Sequence, residues 1–240
     1  DLDTNVVIRE QSLTPDIAPA GSFLQDLQVS ADGRTIVIAD ASFWRKSPAI
    51  VVYDIETGDA RRVLESHASL SAENYMIRNN GRDMEFLGGV VALRGGIDGI
   101  ALGPEWLYYG ALSGSGLYRV RLSDLRNARL PPGQLANRVE RFSDKPLSDG
   151  FSIDKQGNVY ITDIEHNAVA VVGPERDLET LIQSDSVRWP DALSFGPDGY
   201  LYLADSALAE LILKSREHIE ASGPYRIFRF RPGAEGVPGQ

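Results

Sequence analysis

Four aspartates occupy matching places in a sequence that repeats itself, and carboxylates held close together can do chemistry. Asp26, Asp98, Asp149 and Asp191 each begin about five residues that alternate between apolar and polar. If the fold gathers them, neighbouring like charges must bind a cation, take up protons or accept hydrogen bonds. Donors that are all oxygen favour Ca²⁺ or Mg²⁺ over softer metals. We therefore predict a divalent-cation site at Asp98 and Asp149, with Asp26 and Asp191 contacting a small-molecule ligand.

A second aspartate follows the first in three of the four units. Asp40, Asp163 and Asp205 each come 14 residues after the leading aspartate, whereas the second unit has Ala111 near the matching place. In an antiparallel hairpin, the start of the first strand and the end of the second lie at the same end. These trailing aspartates can therefore join the same site, or they can cap backbone N–H groups between neighbouring units. The sequence leaves both interpretations open.

Two further side chains near these aspartates are candidates for the site. His166 follows Asp163 in the next loop and is a candidate general base beside Asp149. A solvated loop residue is the simpler interpretation of this histidine. Trp189 precedes Asp191 and is a candidate wall for a ligand pocket, although tryptophans usually serve packing.

The elements that must position these residues are short hairpins. Each unit has two alternating runs separated by a turn such as Asp-Gly or Gln-Gly, which is typical of a β-hairpin. A third strand follows in each unit. The four hairpins and the four third strands are "LQDLQVSADGRTIVIAD" (24–40), "GIDGIALGPEWLYYGA" (96–111), "LSDGFSIDKQGNVYITD" (147–163), "WPDALSFGPDGYLYLAD" (189–205), and "AIVVYDIETG" (49–58), "GLYRVRLSDL" (116–125), "AVAVVGPERD" (168–177), "YRIFRFRPGA" (225–234).

Such repetition predicts an all-β fold, a β-propeller, with a β-sandwich as the less favoured alternative. In a propeller the first strand of each blade lines the central channel, so the leading aspartates should ring one mouth of it. We predict a single domain over residues 1–240, with blades at approximately 22–80, 84–130, 138–184 and 186–232.

The opening residues "DLDTN" match "DIETG" at 54–58, the turn after a third strand. Residues 1–12 are therefore predicted to be the remnant of a blade whose first strands lie upstream. A propeller unit cannot bury both of its faces alone. We accordingly expect an upstream fragment or a second chain to complete the propeller. The alternate acids Asp1 and Asp3 do not make a calcium loop, because Val6 and Ser12 stand where such a loop needs Gly and Glu.

Composition narrows the classes of function. The 240 residues carry 24 Lys and Arg against 34 Asp and Glu, a net charge of −10. This balance argues against a nucleic-acid partner, which needs a basic surface. No apolar run is long enough for a membrane span, so no membrane partner is expected. The absence of cysteine excludes disulfides, thiol nucleophiles and thiolate metal sites.

The long segments "AIVVYDIETGDARRVLESHAS", "GIDGIALGPEWLYYGALSGSGLYRV" and "SDGFSIDKQGNVYITDIEHNAV", followed by "WPDALSFGPDGYLYLADS", resemble the major royal jelly protein / Yellow family in its bacterial branch. The resemblance runs from residue 1 to about residue 230. It implies a β-propeller of the six-bladed type and a secreted or periplasmic location. Members of that family include dopachrome-converting enzymes, amine-binding salivary proteins and nutritive proteins.

The same segments are similar to the gluconolactonase/SMP-30 propellers, which carry a divalent metal in the channel. Carried over by motif, Asp98 and Asp149 fall on metal ligands of that group, and Gln25 falls on a substrate-side residue. Two features depart from the pattern. Phe23 stands where the lactonases have a substrate-binding Arg, and their metal-binding Glu belongs to a first blade upstream of Asp1.

Three functions remain open. The first is a protein that binds a small cationic ligand at an acid-lined channel mouth, with a divalent cation such as Ca²⁺, or alternatively Mg²⁺ or Mn²⁺. The second is an enzyme in which a cation at Asp98 and Asp149 assists lactone hydrolysis or a dopachrome-type tautomerisation. The third is a storage or scaffold protein without a site. The sequence does not name a substrate.

Overall fold

The computed structural model describes residues 1 and 3–240, and most of its regular structure is β-strand. The strands in chain order are β1 (Leu24–Val29), β2 (Thr35–Asp40), β3 (Ala49–Asp54), β4 (Ala60–Val63), β5 (Arg78–Asn79), β6 (Arg82–Asp83), β7 (Glu85–Phe86), β8 (Val91–Ala92), β9 (Ile97–Leu102), β10 (Trp106–Ala111), β11 (Gly116–Arg121), β12 (Glu140–Asp144), β13 (Phe151–Ile153), β14 (Val159–Asp163), β15 (Ala168–Val172), β16 (Leu178–Gln183), β17 (Pro190–Phe195), β18 (Leu201–Asp205) and β19 (Arg226–Phe230). The α-helices are short: α1 (Leu122–Arg126), α2 (Pro132–Ala136) and α3 (Arg216–Ala221). Among the described residues, no helix is long and apolar enough to cross a membrane.

The main strands form four antiparallel sheets, which are the blades of a β-propeller. Blade 1 is β1–β4, blade 2 is β9–β12, blade 3 is β13–β16 and blade 4 is the three strands β17–β19. The first strands of the blades, β1, β9, β13 and β17, lie side by side in that order and form the inner wall. Two small hairpins, β5–β6 and β7–β8, lie in the connection between blades 1 and 2. The predicted all-β propeller with about four blades is confirmed.

Hydrophobic burial between neighbouring blades explains the strand sequences. Blades 2 and 3 have a neighbour on each face, so β9 and β14 are buried along their whole length. In the two end blades, β2 and β18 alternate between buried and half-buried residues, and β1 and β19 are mostly exposed. Separate clusters of buried apolar side chains fill the spaces between blades 1 and 2, between blades 2 and 3, and between blades 3 and 4.

Two details at the blade edges differ from the sequence prediction. Strand β12 pairs with β11, so blade 2 reaches Asp144 and extends beyond the predicted boundary at residue 130. The Asp1 side chain accepts hydrogen bonds from the N–H groups of Asp3 and Thr4, as the Asp54 side chain does from Glu56 and Thr57. The predicted turn therefore forms, but no strand follows it within residues 6–12.

Candidate functional site

The four leading aspartates meet at one cavity between the inner strands. This acid cavity has a volume of about 140 Å³. Its lining comprises polar and acidic side chains together with a few apolar ones: Gln25, Asp26, Gln28, Asp98, Asp149, Gly150, Phe151, Asp191, Ala192 and Leu193. The structure thus brings together Gln25 and all four carboxylates that the sequence proposed for a site.

Close packing of the inner strands holds the carboxylates together. A side chain at Gly99 would overlap the backbone carbonyl oxygen of Asp149, and one at Gly150 would overlap that of Asp191. Glycine directly after a leading aspartate therefore allows the next inner strand to approach. The Asp-Gly pairs at 98–99 and 149–150 are local sequence features that set the distance between neighbouring inner strands.

Burial gives these carboxylates unusual protonation behaviour. The side chain of Asp98 is only 6% exposed, and no hydrogen bond to it forms within the described residues. Burial, and then the neighbouring Asp149, Asp26 and Asp191, raise its pKa well above the ordinary value. Burial likewise raises the pKa of Asp149 to about 8 and that of Asp26 to about 6. The cavity therefore favours bound protons or a cationic guest over four bare charges.

Trp189 contributes to the site differently from the prediction. It is fully buried and does not line the acid cavity. Its indole Nε1 donates a 2.7 Å hydrogen bond to Oδ2 of Asp149. The backbone N–H of Asp149 in turn donates to Thr162 Oγ1 at 2.9 Å. Trp189 is thus a positioning residue that holds one oxygen of Asp149, and it is not a wall in contact with a ligand.

The trailing aspartates cap backbone groups, as the structural alternative predicted. Asp205 accepts hydrogen bonds from the N–H groups of Arg188 and Trp189 and pairs with the Arg188 guanidinium. Asp40 accepts from the N–H of Phe23 and pairs with Arg62. These carboxylates organise the loops that lead into or out of each hairpin, and they do not line the acid cavity.

The structure does not bring His166 to the cavity. Its side chain is 66% exposed, and Nδ1 lies 2.8 Å from Oδ2 of Asp163, whose Oδ1 accepts the His166 backbone N–H. The residue lines neither the acid cavity nor the larger cavity beside it. The prediction that His166 acts as a base beside Asp149 is therefore not supported by its position, because its local loop hydrogen bonds hold it at the surface.

A second, apolar cavity adjoins the first, and the sequence did not predict it. This apolar chamber has a volume of about 400 Å³ and shares Gln25, Asp98 and Asp149 with the acid cavity. Its other walls come from loops at the same end of the channel and are mostly aromatic or aliphatic: Phe23, Ala41, Phe43, Trp44, Phe86, Val91, Leu93, Gly95, Leu112, Leu208, Ile212 and Leu213. Each loop supplies only one to three of these side chains, so no sequence motif marks the chamber.

A buried lysine close to the carboxylates was also missed. Lys145 is 4% exposed, and its Nζ bonds to the carbonyl oxygens of Ala111 and Pro146 and to Ser148 Oγ. Burial lowers its pKa to about 7, while nearby acids, Glu73 and Asp98 foremost, oppose that shift. The sequence held one hint of this difference, since the second unit has Ala111 near the place where the other units have a trailing aspartate.

The residues present do not fit a resident divalent cation. Oxygen donors are the right chemistry for Ca²⁺, but several of these oxygens already have protein partners. Both carboxylate oxygens of Asp26 accept backbone N–H groups, from Leu27 and Ile100. One oxygen of Asp149 is held by Trp189, and the Lys145 side chain is buried nearby. Within residues 1 and 3–240, no three side chains of His, Cys, Asp or Glu are grouped as a metal shell.

The four sheets around an acid-lined cavity define this protein as a β-propeller. The family model described as major royal jelly protein matches residues 1–217. The chain therefore belongs to the major royal jelly protein family. Among curated proteins, none matches the chain in sequence.

Solved structures with a similar fold are distant in sequence. The calcium-binding protein regucalcin from Agrobacterium tumefaciens has a TM-score of 0.59 at 16% identity, over 92% of this chain and 64% of that one. A luciferin-regenerating enzyme has a TM-score of 0.60 at 11% identity, over 92% and 65%. A putative gluconolactonase has a TM-score of 0.54 at 14% identity, over 88% and 59%. The chain thus spans less than two thirds of the length of these proteins, and at such identities the likeness shows the fold alone.

Proposed function

We propose that this protein binds a small organic cation with an apolar body at the mouth of its channel. The observation that carries the proposal is Asp98. Its carboxylate is buried, has no hydrogen-bond partner among the described residues, and lies where the acid cavity and the apolar chamber meet. A buried ionised group without a partner is costly. A ligand ammonium would supply the missing partner.

The rest of the site suits such a ligand. A chamber of about 400 Å³ lies within the range of about 300–1,000 Å³ typical of small-molecule sites. Phe43, Trp44 and Phe86 line it and can pack against an apolar body or attract a cation with their ring faces. The net charge of −10 favours the approach of cations over anions.

A matched pair of ligands tests the proposal. Calorimetric titrations would compare 2-phenylethylammonium with 2-phenylethanol, which has a similar shape but no charge. We expect the amine to bind about tenfold or more tightly than the alcohol, because a charge-assisted bond to a buried group contributes about 1.5–3 kcal/mol. Asp98→Asn should remove that preference, and the exposed control Asp185→Asn should keep it.

Two results would contradict the proposal. One is equal affinity for the amine and the alcohol in the unaltered protein. The other is an Asp98→Asn protein that remains folded and keeps the full preference for the amine.

Enzymatic activity is the second candidate. A metal-assisted lactonase or a tautomerase is supported by the family and by neighbours whose names include a gluconolactonase. Hydrolysis of a sugar lactone that depends on added Ca²⁺, Mg²⁺ or Mn²⁺ would favour it. A storage role without a site would instead leave both the amine and the metals unbound. We favour ligand binding over metal-assisted catalysis because oxygens of Asp26 and Asp149 already accept hydrogen bonds from the protein.

A further inference from the structure

The side-chain nitrogen of the buried lysine behind the acid cavity is held by three hydrogen bonds. Lys145 Nζ lies 2.9 Å from the Ala111 carbonyl oxygen, 3.0 Å from that of Pro146 and 2.8 Å from Ser148 Oγ. A protonated ammonium has three N–H donors, and three oxygens receive them. Ala111 ends the strand that pairs with the start of β9, next to Asp98, and Ser148 directly precedes Asp149. The ammonium thus bridges the two segments that carry these carboxylates.

The neighbouring strand leaves room for this side chain. A side chain at Gly110 would overlap Cε and Cδ of Lys145, so glycine at that position leaves room for the lysine stem. The adjoining residue is Ala111, where other units carry an aspartate that pairs with a histidine or an arginine. Blade 2 therefore lacks a trailing carboxylate, and the ammonium of Lys145, from the loop after β12, lies beside Ala111 instead.

The charges around Lys145 are almost all acidic. Glu73, Asp98, Asp163 and Asp149 favour its charged form, and Lys145 in turn favours ionisation of Asp98 and Asp149. Such a cation adds a repulsion to any positive guest in the cavity. The attraction of the carboxylates and this repulsion both scale with the charge of the guest, so the Lys145 charge cancels part of the advantage that a divalent ion has over a monovalent one.

We propose that Lys145 is a specificity-determining residue: its buried ammonium is a built-in countercharge for Asp98 and Asp149, and it makes the cavity select singly charged guests over divalent metal ions. This inference deepens the proposed function and rests on it for the identity of the preferred guest. Lys145 itself contacts no ligand and acts through the two carboxylates.

The test is a change in selectivity, which a purely structural role would not produce. The affinities of 2-phenylethylammonium and of Ca²⁺ alone would be measured by calorimetry for the unaltered protein, Lys145→Met and Lys155→Met. Lys155 is a half-exposed surface lysine paired with Glu235, so its change alters the net charge equally. We expect the ratio of Ca²⁺ affinity to amine affinity to rise about tenfold or more in Lys145→Met and to stay unchanged in Lys155→Met. An unchanged or lower ratio in a folded Lys145→Met protein overturns the inference.

The unaltered protein provides a second measurement that needs no variant to fold. It should bind 2-phenylethylammonium more tightly than Ca²⁺, and the reverse order in a protein that prefers the amine to 2-phenylethanol overturns the inference. Failure of the proposed function looks different. There the unaltered protein binds the amine no better than 2-phenylethanol, while Lys145→Met still gains affinity for Ca²⁺. Absence of Ca²⁺ binding to both the unaltered protein and a folded Lys145→Met protein also overturns the inference.

Discussion

The same residue type has two roles in each repeat, and the environment of each aspartate decides between them. The trailing Asp205 receives backbone N–H groups and an arginine, which stabilise its charge. The leading Asp98 and Asp149 are buried beside one another, so their charged forms are disfavoured. Cationic ligand binding uses this difference, because an ammonium can replace the proton that burial favours.

This protonation predicts an unusual dependence of stability on pH. Burial raises the pKa of Asp26 to about 6 and of Asp149 to about 8, both from 3.8. The folded state then holds protons that the unfolded state releases, so the stabilisation is complete below the unfolded pKa and is lost as pH rises through the folded values. The free energy of unfolding, measured with urea, should fall between about pH 5 and pH 7.

The titratable groups that face these carboxylates determine the pH range over which stability falls. Asp98 and Asp191 have raised pKa values and act in the same direction. Lys145, whose pKa burial lowers to about 7 from 10.5, acts in the opposite direction above that pH. Asp149→Asn should flatten the fall, and Asp185→Asn should not. Stability that increases steadily from pH 5 to pH 7 would show that the carboxylates ionise normally.

At the scale of elements, the spacing between inner strands builds the site. Strands β9, β13 and β17 approach closely where Gly99 and Gly150 face the backbone of the next strand. The inner strands therefore lie close together at the level of the carboxylates. A substitution that separates two strands should disturb the site and the stability together.

Replacing Gly150 by alanine tests this packing. The new methyl group would overlap the Asp191 carbonyl oxygen and contact Ala192, so strands β13 and β17 must move apart. We expect the free energy of unfolding to fall by about 1–3 kcal/mol, the usual cost of overpacking. Gly133→Ala in α2 is the matched control, since nothing lies within 4 Å of its added atom. A Gly150→Ala protein as stable as the control would mean that the strands are not tightly packed here.

At the scale of the whole molecule, a C-terminal strap, residues 235–240, ties the four blades together at the far end of the channel. Gln240 Oε1 accepts the Leu102 N–H of blade 2, and Gln240 Nε2 donates to Gln28 of blade 1. The Val237 N–H donates to Ile153 of blade 3, and the Gln240 carbonyl oxygen accepts from Phe195 of blade 4. Since Leu102 and Phe195 each lie four residues beyond a leading aspartate, the strap sits about 13 Å along the strands from the carboxylates.

Gln240→Ala should therefore weaken the whole domain. It leaves the buried Leu102 N–H and Oε1 of Gln28 without partners, which costs about 1–3 kcal/mol. Urea denaturation should show this loss as one cooperative shift, because all four inner strands share the strap. Glu235→Gln, which removes only an exposed ion pair of the same strap, should cause no measurable change. Equal stability of both variants would mean that the strap does not hold the blades together.

Much of the architecture was readable from local patterns, since hairpins and their turns depend on residues close in sequence. Asp-Gly and Gln-Gly turns with alternating runs predicted the blades, and the matching place of Asp26, Asp98, Asp149 and Asp191 at the start of each hairpin predicted that they would meet. The extent of blade 2 was not readable, because β12 joins its sheet after two helices. The sequence also did not reveal the position of His166, whose contact with the nearby Asp163 holds it at the surface and away from the channel.

The sequence by itself determined the repeat, and with it a ring of carboxylates, because a repeated local pattern in a radial array places equivalent residues around one axis. Only the tertiary structure decided what that ring does. The partners of each carboxylate come from distant segments: Trp189 at Asp149, Ile100 at Asp26 and Lys145 behind Asp98. The apolar chamber likewise is a space between loops. Charge state and cavity shape depend on what surrounds a residue in three dimensions, and that environment is not local in sequence.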